Sequence, residues 1–420
     1  MNEIGTPRVS RDVLGIIKQP IRMSRIRTFS LIGILYLAAT AHGFGVTAKS
    51  AIIVDEESGK VLWQKDAFTP RYPASTTKIM TGLLLLEHTK PADWIVAPKG
   101  VEKIPPSSMH LRPGEKVSAR GMLYALMLRS ANDGCVAVAC HISGSVIAFS
   151  KLMNERAKEI GCLNTHFHNP NGLNDKAHTT TAYDLALMAR EAMKNPDFRE
   201  AVRTQKKTIV RSINFKDVLM ESHNAWLAKD ATADGIKTGY TRDAGKCYVG
   251  SVVRNGYRLI TVILNSEDWQ VDHKQMLEWA YKAHTREVVA NPETPIAAVK
   301  LDNSSPHELP LVVKVPVFRV HRVDVPDPMA TSFELNPNLQ SPIDAGQQVG
   351  TVTYSDGSGW IKEVPVYAGA STDYDPPLLG TTAGKSVFGI LGLAVFGSVA
   401  SLRSKRHNRF HAKSRRPFKF

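Results

Sequence analysis

Cysteine is scarce in this chain and follows no ligand pattern. Its 420 residues hold four, Cys135, Cys140, Cys162 and Cys247. None forms a Cys-x-x-Cys pair, and no group among the 14 histidines has metal-ligand spacing. The sequence therefore gives no basis for a structural zinc, a redox dithiol or a metal-activated water, and no metal or cofactor is expected. Cys135 and Cys140 lie five apart in a helical pattern, which puts them on different faces. All four read as small buried apolar residues, with no disulfide expected. Long hydrophobic runs are also lacking: residues 29–41 and 387–402 both fall short of the ~20 that span a bilayer comfortably. Acidic residues are missing where basic ones gather. Residues 1–48 carry six basic and two acidic side chains, and residues 403–420 carry eight basic and none acidic. Of the formal charge of +14, this leaves only +2 for everything between. A nearly neutral body is a poor nucleic-acid binder, so no nucleic-acid partner is expected; basic ends point to export and to an anionic membrane surface.

What is present is a chain of ordinary apolar content, 43%, and ordinary charge, 22%, long enough for two or three domains. Arg25 and Arg27 precede the apolar run 29–41, the layout of a secretory signal. Ala39-Thr40-Ala41 fits a small-x-small cleavage pattern, and Val46-Thr47-Ala48 is a second candidate. Met23 opens a more typical signal than Met1. At the other end, the apolar, glycine-rich run 387–402 leads directly into the basic tail. With Lys385 able to snorkel, it reads as a stop-transfer transmembrane anchor with a cytoplasmic tail. An interfacial helix is the alternative, disfavoured by the lack of a charged face. Both ends put the body outside the cytoplasm, exported and held at the membrane.

The body divides by composition. Residues 50–55 and 60–63 are β-type runs around a Gly-containing turn and read as a hairpin. Residues 91–120 are loop-rich. Helical patterns cover 122–128, resume at 135–142 after a break at 129–134, and continue over 146–160, closed by Gly161. Thr180 or Thr181 caps a helix that ends at Met193. Residues 207–213 read as a strand. Residues 247–253 and 257–264 flank Asn255-Gly256, a strong hairpin signal, and 271–288 is helical again. The fold class is α+β, an antiparallel sheet covered by helices. From about residue 291 helical periodicity disappears, and short β-type runs at 311–315, 318–323, 348–354 and 360–367 indicate a small all-β domain. The expected segments are 1–48 extension and signal, 49–290 catalytic domain, 291–372 β-rich domain, 373–385 linker, 386–402 anchor and 403–420 tail.

Three short motifs lie in this order: Ser75-x-x-Lys78, Ser130-x-Asn132 and Lys237-Thr238-Gly239. Each is common singly, and Ser75 by itself reads as a helix cap. In a helix, positions i and i+3 share a face, which sets the Ser75 hydroxyl beside the Lys78 amine. A serine hydroxyl needs a base in contact to act as a nucleophile, and a buried lysine with a lowered pKa can be that base. The ordered set is specific, and it is known from penicillin-binding proteins and class A β-lactamases.

The chain resembles the D-alanyl-D-alanine carboxypeptidases of the low-molecular-mass penicillin-binding protein type. The likeness extends to Pro73-Ala74-Ser75-Thr76-Thr77-Lys78-Ile79-Met80-Thr81, to Leu128-Arg129-Ser130-Ala131-Asn132-Asp133, to Asn164-Thr165-His166-Phe167 with Asn171-Gly172-Leu173, and to Asp234-Gly235-Ile236-Lys237-Thr238-Gly239-Tyr240-Thr241. It is strong over residues 50–290 and weaker over 291–370, where Ala345-Gly346-Gln347-Gln348-Val349-Gly350 fits best. The resemblance implies a β-lactamase/transpeptidase-like catalytic domain acting on peptidoglycan stem peptides that end in D-Ala-D-Ala, and inhibition by β-lactams. It implies Ser75 as nucleophile, Lys78 as its base and Ser130 as proton relay. It further implies Asn132 on the acyl-enzyme amide, Lys237 and Thr238 at the substrate carboxylate, and an oxyanion hole from the amides of Ser75 and Tyr240, beside Gly239. Cys135 falls where the family can carry a thiol near the site, although packing suffices for it. Arg242 and His223 are candidate substrate contacts or ordinary surface residues.

Other readings share these motifs. A serine β-lactamase needs a further group to activate the deacylating water, and no clear Glu-x-x-x-Asn element lies between Asn132 and Lys237. A D,D-endopeptidase differs only in its leaving group. A non-catalytic cell-wall binding protein has no need of the full residue set.

Overall fold

The computed structural model describes residues 45–375. The apolar run 29–41, the anchor 386–402 and the basic tail lie outside the described residues. Strand β1 (Ser50–Asp55) is buried along its whole length. Its alternate side chains enter two different cores: Ile52 and Val54 join one apolar cluster, Ala51 and Ile53 the other. A strand covered on both faces has no polar side to show, which explains the unbroken run Ala51-Ile52-Ile53-Val54.

With β2 (Val61–Lys65), β3 (Ala233–Thr241), β4 (Gly245–Arg254) and β5 (Tyr257–Ser266), it forms an antiparallel sheet in the order β2-β1-β5-β4-β3. Asn255 and Gly256 join β4 to β5 with positive φ at both positions, as a type I′ turn requires. Six helices supply the larger core: α1 (Lys78–His88), α2 (Ala119–Tyr124), α3 (Asn132–Ser143), α4 (Val146–Ile160), α5 (Ala182–Met193) and α6 (Pro196–Arg203). Helix α7 (Trp269–Ala283) packs Met276, Leu277 and Ala280 on the opposite face of the sheet. Helix α1 is the central one: Ile79, Met80 and Leu83 to Leu85 are all buried, as expected of a helix that is apolar all round. Thr181 caps α5 by accepting from the Asp184 amide, and Gly161 ends α4 in the left-handed conformation.

The remaining described chain is β-rich. Strands β6 (His284–Ala290), β7 (Ala297–Lys300), β8 (Glu308–Val312), β9 (Val317–Arg322), β10 (Met329–Leu335), β11 (Gln348–Asp356) and β12 (Ile361–Ala368) make a five-stranded sheet, β7-β8-β12-β11-β10, and a β6-β9 pair. Leu309, Val313, Val349, Val352 and Val366 lie in a separate apolar core. The α+β arrangement followed by an all-β region is the expected one.

Four local expectations need correction. The helix read over 271–288 stops at Ala283, and the β-branched residues Thr285, Val288 and Val289 continue as β6, paired with β9. The strand read over 207–213 covers only Lys206–Thr208, because Arg211 turns inward to a buried ion pair with Glu115. The break read at 129–134 is limited to Ser130 and Ala131. A π-helical turn spans Ala125–Arg129, and α3 already starts at Asn132. The loop-rich 91–120 contains the paired short strands Trp94–Val96 and Lys116–Ser118. Among the described residues no single helix is long and apolar enough to cross a membrane.

Candidate active site

Ser75 lies on a 3-10 turn, Ala74–Thr77, that runs straight into α1 at Lys78. The residue before it is strained: Ala74 has φ +47°, a left-handed conformation that a side chain disfavours. Two glycines hold this turn. A Cβ on Gly172 would sit 1.8 Å from the Ala74 carbonyl oxygen, and one on Gly239 would sit 3.0 Å from the Ser75 amide nitrogen. The 169–173 turn and strand β3 can therefore close on the serine from two sides only because both positions lack side chains. The close approach at Gly239 also brings the edge strand past the Ser75 amide one residue before Tyr240.

Lys78 is fully buried, and its amine is the hub of the site. Nζ lies 2.8 Å from Ser75 Oγ and donates to Asn132 Oδ1 and to the Asn171 carbonyl, both at 2.7 Å. Asn132 is oriented by its other end, since its Nδ2 donates to the Pro105 carbonyl at 2.9 Å. Burial pushes the Lys78 pKa down to about 8. Lys237, on β3, is also buried; burial and the nearby Lys78 charge push it down to about 7. Its amine donates to the Thr238 carbonyl at 3.0 Å. Ser130 closes the cleft from the α2–α3 connection with φ +60°. Its hydroxyl is buried and has no hydrogen-bond partner.

Residues 37–268 match the D-alanyl-D-alanine carboxypeptidase family, more than half of the sequence. The chain belongs to this family. Its activity is that of a serine-type carboxypeptidase, a hydrolase. Residues 285–373 match the C-terminal domain of penicillin-binding protein 5. The chain is 30% identical over 367 residues to D-alanyl-D-alanine carboxypeptidase DacF of Bacillus subtilis, covering 82% of itself and 94% of that protein. It is 27% identical to DacC of Escherichia coli, over 78% of itself and 84% of the relative. Among solved structures, DacD of Francisella tularensis superposes with a TM-score of 0.58 at 25% identity, over 79% of this chain and 95% of that one. Penicillin-binding protein 5 of Haemophilus influenzae shares the fold with a TM-score of 0.65 at 24% identity, over 79% and 99%.

In this carboxypeptidase the structure brings Ser75, Lys78 and Asn132 into direct contact. Lys237, Thr238, Gly239 and Tyr240 lie along the edge strand that passes Ser75. The Lys237 amine points to its neighbour's carbonyl and makes no hydrogen bond to Ser130. His223 lies in the field of the site: burial and the charges of Lys237, Arg129 and Lys78 all lower its pKa. Arg242 is exposed in the turn between β3 and β4. The four cysteines are free thiols. Burial pushes the Cys135 thiol up to about 12, so it packs as a neutral group beside the lysines.

Several parts of the site carry no sequence signal. The carbonyls of Pro105 and Asn171 hold Asn132 and Lys78, and a carbonyl belongs to every residue. Asp133 has no sequence signal of its own beyond its place next to Asn132. Its carboxylate accepts from the amides of Met109 and Leu111 and from the Ser108 hydroxyl, and so ties the 105–111 loop over the site. The buried Glu115–Arg211 pair links that loop to the 209–217 segment, with Arg211 also donating to the Met109 carbonyl. No local pattern marks Glu115 or Arg211, because their contact spans 96 residues.

Proposed function

We propose that Ser75 is the nucleophile that attacks the penultimate carbonyl of a peptidoglycan stem peptide ending in D-Ala-D-Ala, and that Lys78 is its base. The observation that carries this is the pattern of acceptors around Lys78. A neutral amine has two N–H groups and one lone pair. Asn132 Oδ1 and the Asn171 carbonyl can only accept, so they take both hydrogens. The lone pair is left for the third neighbour, the Ser75 hydroxyl, at 2.8 Å. The lowered pKa makes the neutral form accessible near neutral pH.

The remaining roles follow the same geometry. Ser75 Oγ forms a bond to the carbonyl carbon as its proton passes to Lys78. The oxyanion is met by the amides of Ser75 and Tyr240. Ser130 delivers a proton to the departing D-alanine amine; a buried hydroxyl without a partner is free to do so. Asn132 supports the acyl-enzyme amide, and Thr238 with Lys237 receives the terminal carboxylate. Water then cleaves the ester, releasing the shortened peptide and restoring Ser75. β-Lactams enter the same path and stop at the acyl-enzyme.

The site works outside the cytoplasm, where peptidoglycan lies, with residues 1–48 contributing a signal sequence and residues 386–402 a membrane anchor. The fold bears on the choice of cleavage site. The buried Asp272 carboxylate accepts from the amides of Thr47 and Ala48 at 2.8 and 2.9 Å and from the Thr47 hydroxyl at 3.0 Å. Cleavage after Ala48 would strip these partners from a buried carboxylate, so cleavage after Ala41 is the consistent choice. A mature protein whose amino-terminal sequence begins at Lys49 would overturn it.

The test of the main reading compares the full chain with its Ser75→Ala variant. Each is incubated with a D-Ala-D-Ala pentapeptide and free D-alanine is measured, then labelled with fluorescent penicillin. Loss of both signals is expected, and D-alanine release by the variant at the parent rate would refute the assignment.

A further inference from the structure

His178 is a buried side chain that none of the roles above uses, and it joins the two halves of the site. It is 1% exposed, just ahead of α5. Its Nδ1 faces two backbone donors, the His168 amide at 3.0 Å and the Asn169 amide at 3.4 Å. An N–H group can meet only a lone pair, so Nδ1 is unprotonated and Nε2 carries the hydrogen. Nε2 then donates to Thr77 Oγ1 at 2.8 Å. Burial pushes the His178 pKa down to about 4, which keeps this neutral tautomer in place across the working range.

Each end of the ring holds something the chemistry needs. Thr77 sits between Ser75 and Lys78, on the turn that presents the nucleophile. Asn169 anchors the opposing turn, its Oδ1 accepting from the Gly172 amide at 2.7 Å and from the Asn171 amide at 3.3 Å. The Asn171 carbonyl in that turn takes one of the Lys78 hydrogens. Thr81 adds a second tie by donating to the Pro170 carbonyl at 2.6 Å. The imidazole thus fixes how far the Asn171 carbonyl stands from the Lys78 amine.

We propose that His178 is a positioning residue for acylation: it clamps the 168–172 turn to the Ser75 turn through Thr77, and so directs the Lys78 lone pair at Ser75 Oγ. The proposal rests on the reading of Lys78 as the base. A misplacement of about 1 Å in such an assembly costs on the order of 100-fold in rate, whereas the open cleft that first binds a β-lactam is untouched by the clamp.

The two halves of the clamp can be cut separately in the full-length protein. His178→Gln can reach Thr77 with a donor and cannot reproduce the acceptor at Nδ1. His178→Asn can offer that acceptor and cannot reach Thr77. Thr77→Val removes the hydroxyl in an equal volume, and Thr77→Ser keeps it. The acylation rate constant and the noncovalent Kd for a fluorescent penicillin are measured from saturation kinetics, alongside Tm. His178→Gln, His178→Asn and Thr77→Val are each expected to slow acylation at least tenfold with Kd within about twofold of the parent. Thr77→Ser is expected to recover most of the loss, and His178→Asn with Thr77→Val is expected to cost little more than either alone. Parent-rate acylation by folded His178 variants, or a loss confined to Kd, would overturn the proposal. So would a loss that simply tracks Tm, including failure of the His178 variants to fold while Thr77→Val acylates at the parent rate. Failure of the underlying reading is seen separately: Lys78→Ala acylating at the parent rate removes the base, whatever the His178 variants do.

Discussion

The cleft and the junction with the β-rich region both bury basic side chains, and they treat them in opposite ways. At the junction every such group meets a carboxylate. Lys60 lies 3.1 Å from Asp356 and 3.5 Å from Asp327, Arg319 pairs with Glu287 at 2.8 Å, and Arg286 pairs with Glu57 at 2.7 Å. Burial alone would raise the Asp356 pKa, but the Ser358 hydroxyl and Lys60 outweigh it and lower it. In the cleft, Lys78 and Lys237 are more deeply buried, and neither has an ion-pair partner among the described residues. Their neighbours are carbonyl and amide oxygens, which accept N–H groups without adding a full negative charge. An ammonium in that setting loses its water and gains no counter-ion, so its pKa falls. The same residue type is a fastener in one place and a readily deprotonated amine in the other, and the difference is the company each keeps.

This contrast can be broken at its strong end first. Lys78→Ala should lower the acylation rate with fluorescent penicillin by about 1,000-fold or more, since it removes the base and leaves Ser75 unactivated. A folded variant that labels within tenfold of the parent would show that Lys78 does not act as one. Next in size is pH. The reactive form is the neutral amine, so the active fraction grows as protons leave. The acylation rate constant at saturating penicillin should rise by about 100-fold from pH 6 toward pH 9 and level off there, while loss of the Lys237 charge weakens carboxylate binding, with the two lysines titrating as a coupled pair. A rate that falls over this window would contradict a neutral base.

Ser130→Ala should slow D-alanine release by about 100-fold while leaving Tm unchanged, because the hydroxyl makes no hydrogen bond that the fold could lose. A clear fall in Tm would assign that hydroxyl a structural part instead. The smallest effect on rate belongs to the junction. Lys60→Ala should leave the acylation rate constant unchanged, although it should cost about 3 kcal/mol of stability because the buried Asp356 carboxylate loses its partner. A change in that rate constant would mean that the junction and the cleft are coupled.

Much of the fold was legible locally. Residues 146–160 carried their own helix stop in Gly161, Asn255-Gly256 marked the β4–β5 hairpin, and the β-type runs at 50–55 and 60–63 around a Gly-containing turn marked the β1–β2 hairpin. The misreadings came where local preference and distant contacts disagree. Residues 285–288 extend a helical pattern by sequence, yet they leave the helix because β9 offers them a pairing edge. Arg211 interrupts a β-type run because its guanidinium finds Glu115. The chemistry-bearing side chains stood out because only particular residue types can serve as nucleophile, base or carboxylate receptor, and three such groups occurred in order.

The sequence by itself determined the ordered set of candidate side chains, the α+β character of the domain that carries them and the basic ends that frame the body. Only the tertiary structure decided that two lysines are buried with no ion-pair partner among the described residues, that the Lys78 amine stands between Ser75 Oγ, Asn132 Oδ1 and the Asn171 carbonyl, and that His178 spans the two turns. Those facts depend on backbone carbonyls and on contacts between residues up to about a hundred positions apart. A carbonyl has no letter in the sequence, and solvent exclusion exists only once the chain has closed around the site.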